Sequence, residues 1–121
     1  PKLNIVLKKE EINMLQDLVK RVPVADNVIE YTVGLVNKTR PAGASATKYV
    51  KDWLEWGAGP RASQYLILGA KCHAAVMGKY SPDIEDVQAV ATSILRHRIV
   101  RNYKAEAEGI KEENIITELM K

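Results

Sequence analysis

The sequence predicts an all-α fold, a bundle of four to five helices, on three observations. Apolar residues recur at i, i+3, i+4 and i+7 instead of alternating, which is the period of helices with one buried face. The seven glycines and five prolines gather between these periodic runs and stay largely out of them. Aromatics make up only 6% of the chain and Phe is absent, so the core must be Leu, Ile, Val and Ala, residues that favour helices packed closely on helices. At 121 residues the chain suits one domain with a modest core.

Residues 1–8 read as an extended segment in which Ile5, Val6 and Leu7 can lie against a neighbour. A first helix is expected at 9–22, where Ile12, Leu15, Val19 and Val22 share a face beside Leu18, and Glu10 and Glu11 suit its positive N-terminal end. Pro23 stops it. A second helix runs over 25–40, with Asp26 in its first turn, Val28, Ile29, Thr32, Leu35 and Val36 facing inward, and Lys38 and Arg40 at its C-terminal end. The joint Val22-Pro23-Val24 is short, so these two helices pack as neighbours. Residues 41–47, rich in Ala, Gly and Ser, read as a surface loop. Over 48–56 the spacing of Tyr49, Val50, Trp53 and Leu54 fits either a short helix or an extended segment, and Trp53 and Trp56 are expected to pack on the core.

The main helix is expected at 60–77. Lys71 is its only formally charged residue between Ala62 and Gly78, which predicts burial on most sides, and Gly69, Ala70, Ala74 and Ala75 permit close neighbours. Ser81-Pro82-Asp83, followed by Glu85 and Asp86, signals the start of a fourth helix reaching about Val100, with Ile84, Val87, Ala91, Ile94 and Leu95 inward. A polar connector over 103–109 leads to a last amphipathic helix at 111–120 that buries Ile115, Ile116 and Leu119.

Composition excludes several functions. The net charge of +3 comes from 18 basic residues interleaved with 15 acidic ones, with no dense basic stripe for a phosphate backbone, so no nucleic-acid partner is expected. No apolar run approaches membrane-spanning length. Cys72 lies alone in an apolar stretch, which predicts an inert structural thiol in a reducing, cytoplasmic setting. Cys72 and His73 point about 100° apart on a helix and His97 is distant, so no metal site is expected. No G-x-x-x-x-G-K-[ST] or H-E-x-x-H is present, and the chain does not read as a self-sufficient enzyme.

One run stands out, Trp56-Gly57-Ala58-Gly59-Pro60-Arg61-Ala62-Ser63. Pro60 suits the first helical position and Arg61 follows it. A cation there opposes the helix dipole by about 0.3–1 kcal/mol. Backbone donors and a guanidinium fork converging at a helix start suit a phosphate; an exposed, solvated arginine is the plain alternative. The basic run Arg96, His97, Arg98, with Arg101 beyond, offsets the negative end of its helix or forms an interface patch.

Leu15–Val24 (LQDLVKRVPV), WGAGPRASQYLILGA from Trp56, YSPDIEDV from Tyr80, LRHRI from Leu95 and AEAEG from Ala105, in this order and covering about 9–121, resemble the C-terminal helical lid of MoxR-type AAA+ ATPases. The resemblance implies a helical bundle of the AAA+ lid type over 9–121, with 1–8 an extended linker from an N-terminal AAA+ core that these residues lack. It implies a sensor-two role for Arg61, with Gly59 and Pro60 shaping the nucleotide-binding turn, and a subunit interface at Arg96, His97 and Arg98. ATP and Mg2+ would be held by the core, and ATP hydrolysis would belong to the whole protein, since the Walker segments, sensor one and arginine finger are missing here. Its implied partners are the chain's own core, neighbouring subunits of a chaperone-like hexamer and a von Willebrand factor A domain protein. A stand-alone helical module that binds nucleic acid through Arg96, Arg98, Arg101 and Lys104, or binds protein, is the alternative.

Overall fold

Seven helices and one two-stranded ribbon build the chain in the computed structural model, which describes residues 1–121. In order they are α1 (Lys9–Lys20), α2 (Asp26–Lys38), α3 (Lys48–Trp53), β1 (Leu54–Trp56), α4 (Pro60–Val76), α5 (Ile84–Leu95), β2 (Val100–Arg101), α6 (Tyr103–Ala107) and α7 (Glu112–Leu119). Five of the helices are the long ones the periodicity predicts, while α3 and α6 are short. Residues 48–56 resolve the two readings in sequence, first helix and then strand. Thr47 caps α3 by accepting from the Val50 N–H at 3.3 Å, and β1 pairs antiparallel with β2 through Leu54↔Arg101 and Trp56↔Val100.

α4 and α5 form the centre and run antiparallel: Tyr65 of the first meets Arg98, just past the end of the second, and His73 meets Asp86 at the other end. Gly69 lets them approach closely, because a Cβ there would lie 2.9 Å from Ile94 Cδ1. α2 and α7 close the core over Leu66, Ala70, Val87 and Leu95, all fully buried, and Ile115, Ile116 and Leu119 are inward as expected.

Several elements differ from the sequence reading. α5 ends at Leu95, not near Val100, because Val100 is drawn into the ribbon against Trp56. Its N-cap is Asp83, so Pro82 precedes the helix instead of opening it, and is itself buried. The expected polar connector contains α6: Asn102 Oδ1 accepts from the Ala105 N–H at 2.9 Å while its Nδ2 donates to the Asp52 carbonyl at 2.8 Å, and Ala105 is buried. α4 is buried along one stripe only, Ala62, Leu66, Ala70 and Ala74; Leu68, Val76 and Met77 are exposed. α1 buries none of its residues and leaves Ile12, Leu15 and Leu18 half-exposed beside α4, where Lys71 Nζ reaches the Lys20 carbonyl at 2.9 Å. Cys72 is exposed on that same side, not enclosed, because α1 leaves an open cleft against α4 that Ile12, Leu15, Val19, Leu68 and Cys72 line.

The turn from α4 to α5 is held by a buried carboxylate. Asp86 accepts from the Asp83 N–H at 2.7 Å, from His73 Nδ1 at 2.7 Å and from Lys79 Nζ at 3.1 Å. Burial would push its carboxyl up, but the Asp83 amide, His73 and Lys79 outweigh that and hold it below the usual carboxylate value. The bond to Asp86 in turn raises the Lys79 ammonium.

Candidate functional site

The start of α4 is positioned by the end of α2. Thr39 is buried at its C-cap; the hydroxyl donates to the Val36 carbonyl at 2.6 Å and accepts from the Ala58 N–H at 2.9 Å. Arg40 Nε donates to the Ala58 carbonyl at 3.1 Å. Both backbone groups of Ala58 are therefore satisfied by one Thr-Arg pair. Gly57 sits so close that a Cβ would lie 2.4 Å from the Thr39 carbonyl oxygen, so only glycine fits there. The sequence run marks Gly57, Gly59 and Pro60 as residues of this turn, but it gives no part in it to Thr39 and Arg40. A Thr-Arg pair directly ahead of Pro41 was the available signal, but its partner lies 19 residues on.

Gly59 is the N-cap of α4, with φ −83° and ψ 176°, and Pro60 occupies the first turn. That backbone suits any residue, and a Cβ at Gly59 would meet nothing within 4 Å, so the space in front of the helix start is open. No side chain caps α4 and no acid lies in its first turn. Its positive end is thus uncompensated within the fold. Arg61 is exposed and forms no ion pair within the protein. Beside it runs a cleft of about 410 Å³ lined by Arg40, Pro41, Glu55, Trp56 and residues 57–60. Trp56, expected on the core, is 67% exposed there, because β1 turns it away from the bundle; Trp53 is half-buried against Tyr49 and Lys104.

The antiparallel packing of α4 and α5 brings the basic run to this same end of the molecule. Its members are held differently. Arg96 pairs with Glu113 at 3.8 Å, and Arg101 binds Glu112 at 2.9 Å and the Ile110 carbonyl at 2.8 Å. His97 is exposed. Arg98 instead places its guanidinium 4.8 Å from the centre of the Tyr65 ring. The donor set fits an anion: an uncapped helix start, a free guanidinium and an uncrowded glycine. Nowhere do three His, Cys, Asp or Glu side chains converge as metal ligands.

A bundle whose central helix opens on a free arginine and an uncapped backbone presents an anion-attracting helix start. The chain belongs to the AAA lid domain family, whose model matches residues 47–119. It is 32% identical over 120 residues to chaperone MoxR1 of Mycobacterium tuberculosis, covering 99% of this chain and 32% of that protein. It is 31% identical to the uncharacterized protein YeaC of Bacillus subtilis, covering 98% of this chain and 34% of that one. A solved structure from Cytophaga hutchinsonii, named as a candidate ATPase, superposes with a TM-score of 0.82 at 32% identity, covering 93% of this chain and 34% of that one. The resemblance drawn from the WGAGPRA and LRHRI motifs therefore holds at the level of the family. The chain spans about a third of the length of the relatives it matches. No helix is long and apolar enough to cross a membrane.

Proposed function

We propose that this chain is the nucleotide-sensing lid of a MoxR-type AAA+ ATPase, and that Arg61 is its sensor. The observation that carries this is the unpaired guanidinium in the first turn of α4, where no acid or cap offsets the helix dipole. Placed against a core that holds ATP with Mg2+, Arg61 would donate to the terminal phosphate and offset charge that builds up during phosphoryl transfer. The Thr39–Ala58 and Arg40–Ala58 bonds fix the turn, so a pull on Arg61 moves the bundle as a unit. Binding and loss of the terminal phosphate would then swing the lid relative to the core, the rigid-body step of a chaperone-like cytoplasmic hexamer. Neighbouring subunits and a von Willebrand factor A domain protein are the partners this reading brings with it, Arg96 and His97 lying on the surface a neighbour would meet.

The test is Arg61→Ala in the full-length protein. ATP turnover should fall about 100-fold, the scale of one lost transition-state donor. Turnover equal to that of the unaltered protein would end the sensor reading. The nucleic-acid alternative draws little support from the structure, since Arg96 and Arg101 are bound to Glu113 and Glu112 and Lys104 lies over Trp53.

A further inference from the structure

Arg98 has a position that the subunit-contact reading of the basic run does not explain. Tyr65 lies four residues after Arg61, so the two side chains are neighbours on the surface of α4. Side chains on a helix lean toward its N-terminus, which carries the Tyr65 ring over the turn that bears Arg61. Arg98 is stacked on that ring at 4.8 Å. Unlike Arg96 and Arg101, it meets no carboxylate, and its Nε is buried without a hydrogen-bond partner. A guanidinium held by an aromatic face instead of an acid keeps its full charge and its planar fork of terminal donors available. Two unneutralised arginines thus flank one tyrosine beside an uncapped helix start. The only acid lining the adjoining cleft is Glu55, which forms no ion pair with either arginine.

We propose that Arg98, held on the face of Tyr65, is a second guanidinium for the same terminal phosphate that Arg61 senses, which makes Arg98 a nucleotide-binding residue and Tyr65 its positioning residue. This rests on the sensor reading of Arg61. A triphosphate carries several negative charges on adjacent oxygens, and two forks converging from the ends of α4 and α5 match it better than one. The arrangement also ties the phosphate to both central helices, so its loss would release both.

The experiment compares Arg61→Ala, Arg98→Ala, Arg98→Lys, Tyr65→Ala and Tyr65→Phe in the full-length protein, reading ATP and ADP affinity, KM and kcat, oligomeric state and melting temperature. Arg98→Ala should weaken ATP binding and raise KM about tenfold, the scale of one charge-assisted contact, with ADP affinity little changed. Tyr65→Ala should follow it, since the guanidinium loses its platform, while Tyr65→Phe keeps the ring and should match the unaltered protein. Arg98→Lys should recover only part of the loss, because an ammonium keeps the charge without the stacked fork. If Arg98→Ala does not fold, Arg98→Lys and Tyr65→Ala decide the matter by the same readouts. Unchanged ATP affinity and KM in Arg98→Ala, with Arg61→Ala impaired, overturns the proposal and leaves the sensor reading standing. Dissociated subunits with normal nucleotide affinity overturn it in favour of a subunit contact. Equal losses for ATP and ADP overturn it too, since the contact would not be to the terminal phosphate. Full activity in Arg61→Ala instead removes the reading on which it rests.

Discussion

The two central helices begin in opposite ways. α5 starts at Asp83, whose N–H donates to Asp86 Oδ2 at 2.7 Å while the Asp86 N–H donates to the Asp83 carbonyl at 3.0 Å, with Glu85 in the first turn and Asp86 also bound to His73 and Lys79. The bonds there outweigh the cost of burying Asp86, and acids at a positive helix end lower the energy of the fold. α4 starts with no cap, no acid and a cation. One start stabilises the bundle and the other leaves its field directed outward, so the difference separates residues that hold the fold from residues the fold leaves free for the proposed ligand.

Substitution at the two starts should split stability from activity. Arg61→Ala is expected to give the largest effect, about a 100-fold loss of turnover, with a melting temperature equal to or slightly above that of the unaltered protein, because a cation leaves a positive helix end. A fall of several degrees would show that Arg61 serves the fold after all. Asp86→Asn should do the reverse. It weakens three hydrogen bonds to a buried carboxylate, for a loss of about 2–3 kcal/mol in denaturant unfolding, with turnover per folded molecule retained.

The same carboxylate predicts an acid limit. Its folded pKa lies below the unfolded value of about 3.9. Its contribution is therefore complete above that value and is lost as pH falls through the lower folded one. Melting temperatures between pH 7 and pH 3 should drop at the acid end in the unaltered protein, and less steeply in Asp86→Asn. Identical acid limbs would assign that drop to other carboxylates. Gly57→Ala joins the two behaviours, since it disturbs the turn that aims Arg61 from within the fold. A Cβ 2.4 Å from a backbone oxygen must displace the loop, costing about 1–2 kcal/mol as overpacking does and lowering turnover together with stability.

Particular residues show where sequence sufficed. The stop at Pro23, the Pro60 start and the inward set Ile115, Ile116 and Leu119 were legible because each is decided within one or two turns of chain. Asp86 was legible only as an acid in a first turn; its burial depends on His73, 13 residues back. The exposed face of α1 could not be read at all, since amphipathic spacing says which face is apolar and not whether anything covers it. Trp56 misled for a related reason: an aromatic side chain favours burial, but pairing with Val100 fixes which way the strand turns it.

Local chemistry alone thus settled that the chain is helical, where most of its helices begin, and that an arginine opens the central one. Which cations remain free was decided only by packing, because Arg96, Arg98 and Arg101 lie in one short basic run that does not tell them apart. Neutralisation by Glu113 or Glu112, or stacking on Tyr65, depends on what the folded chain brings within a few ångströms. Coulombic and hydrogen-bond energies fall off over that distance, and no spacing along the chain encodes it.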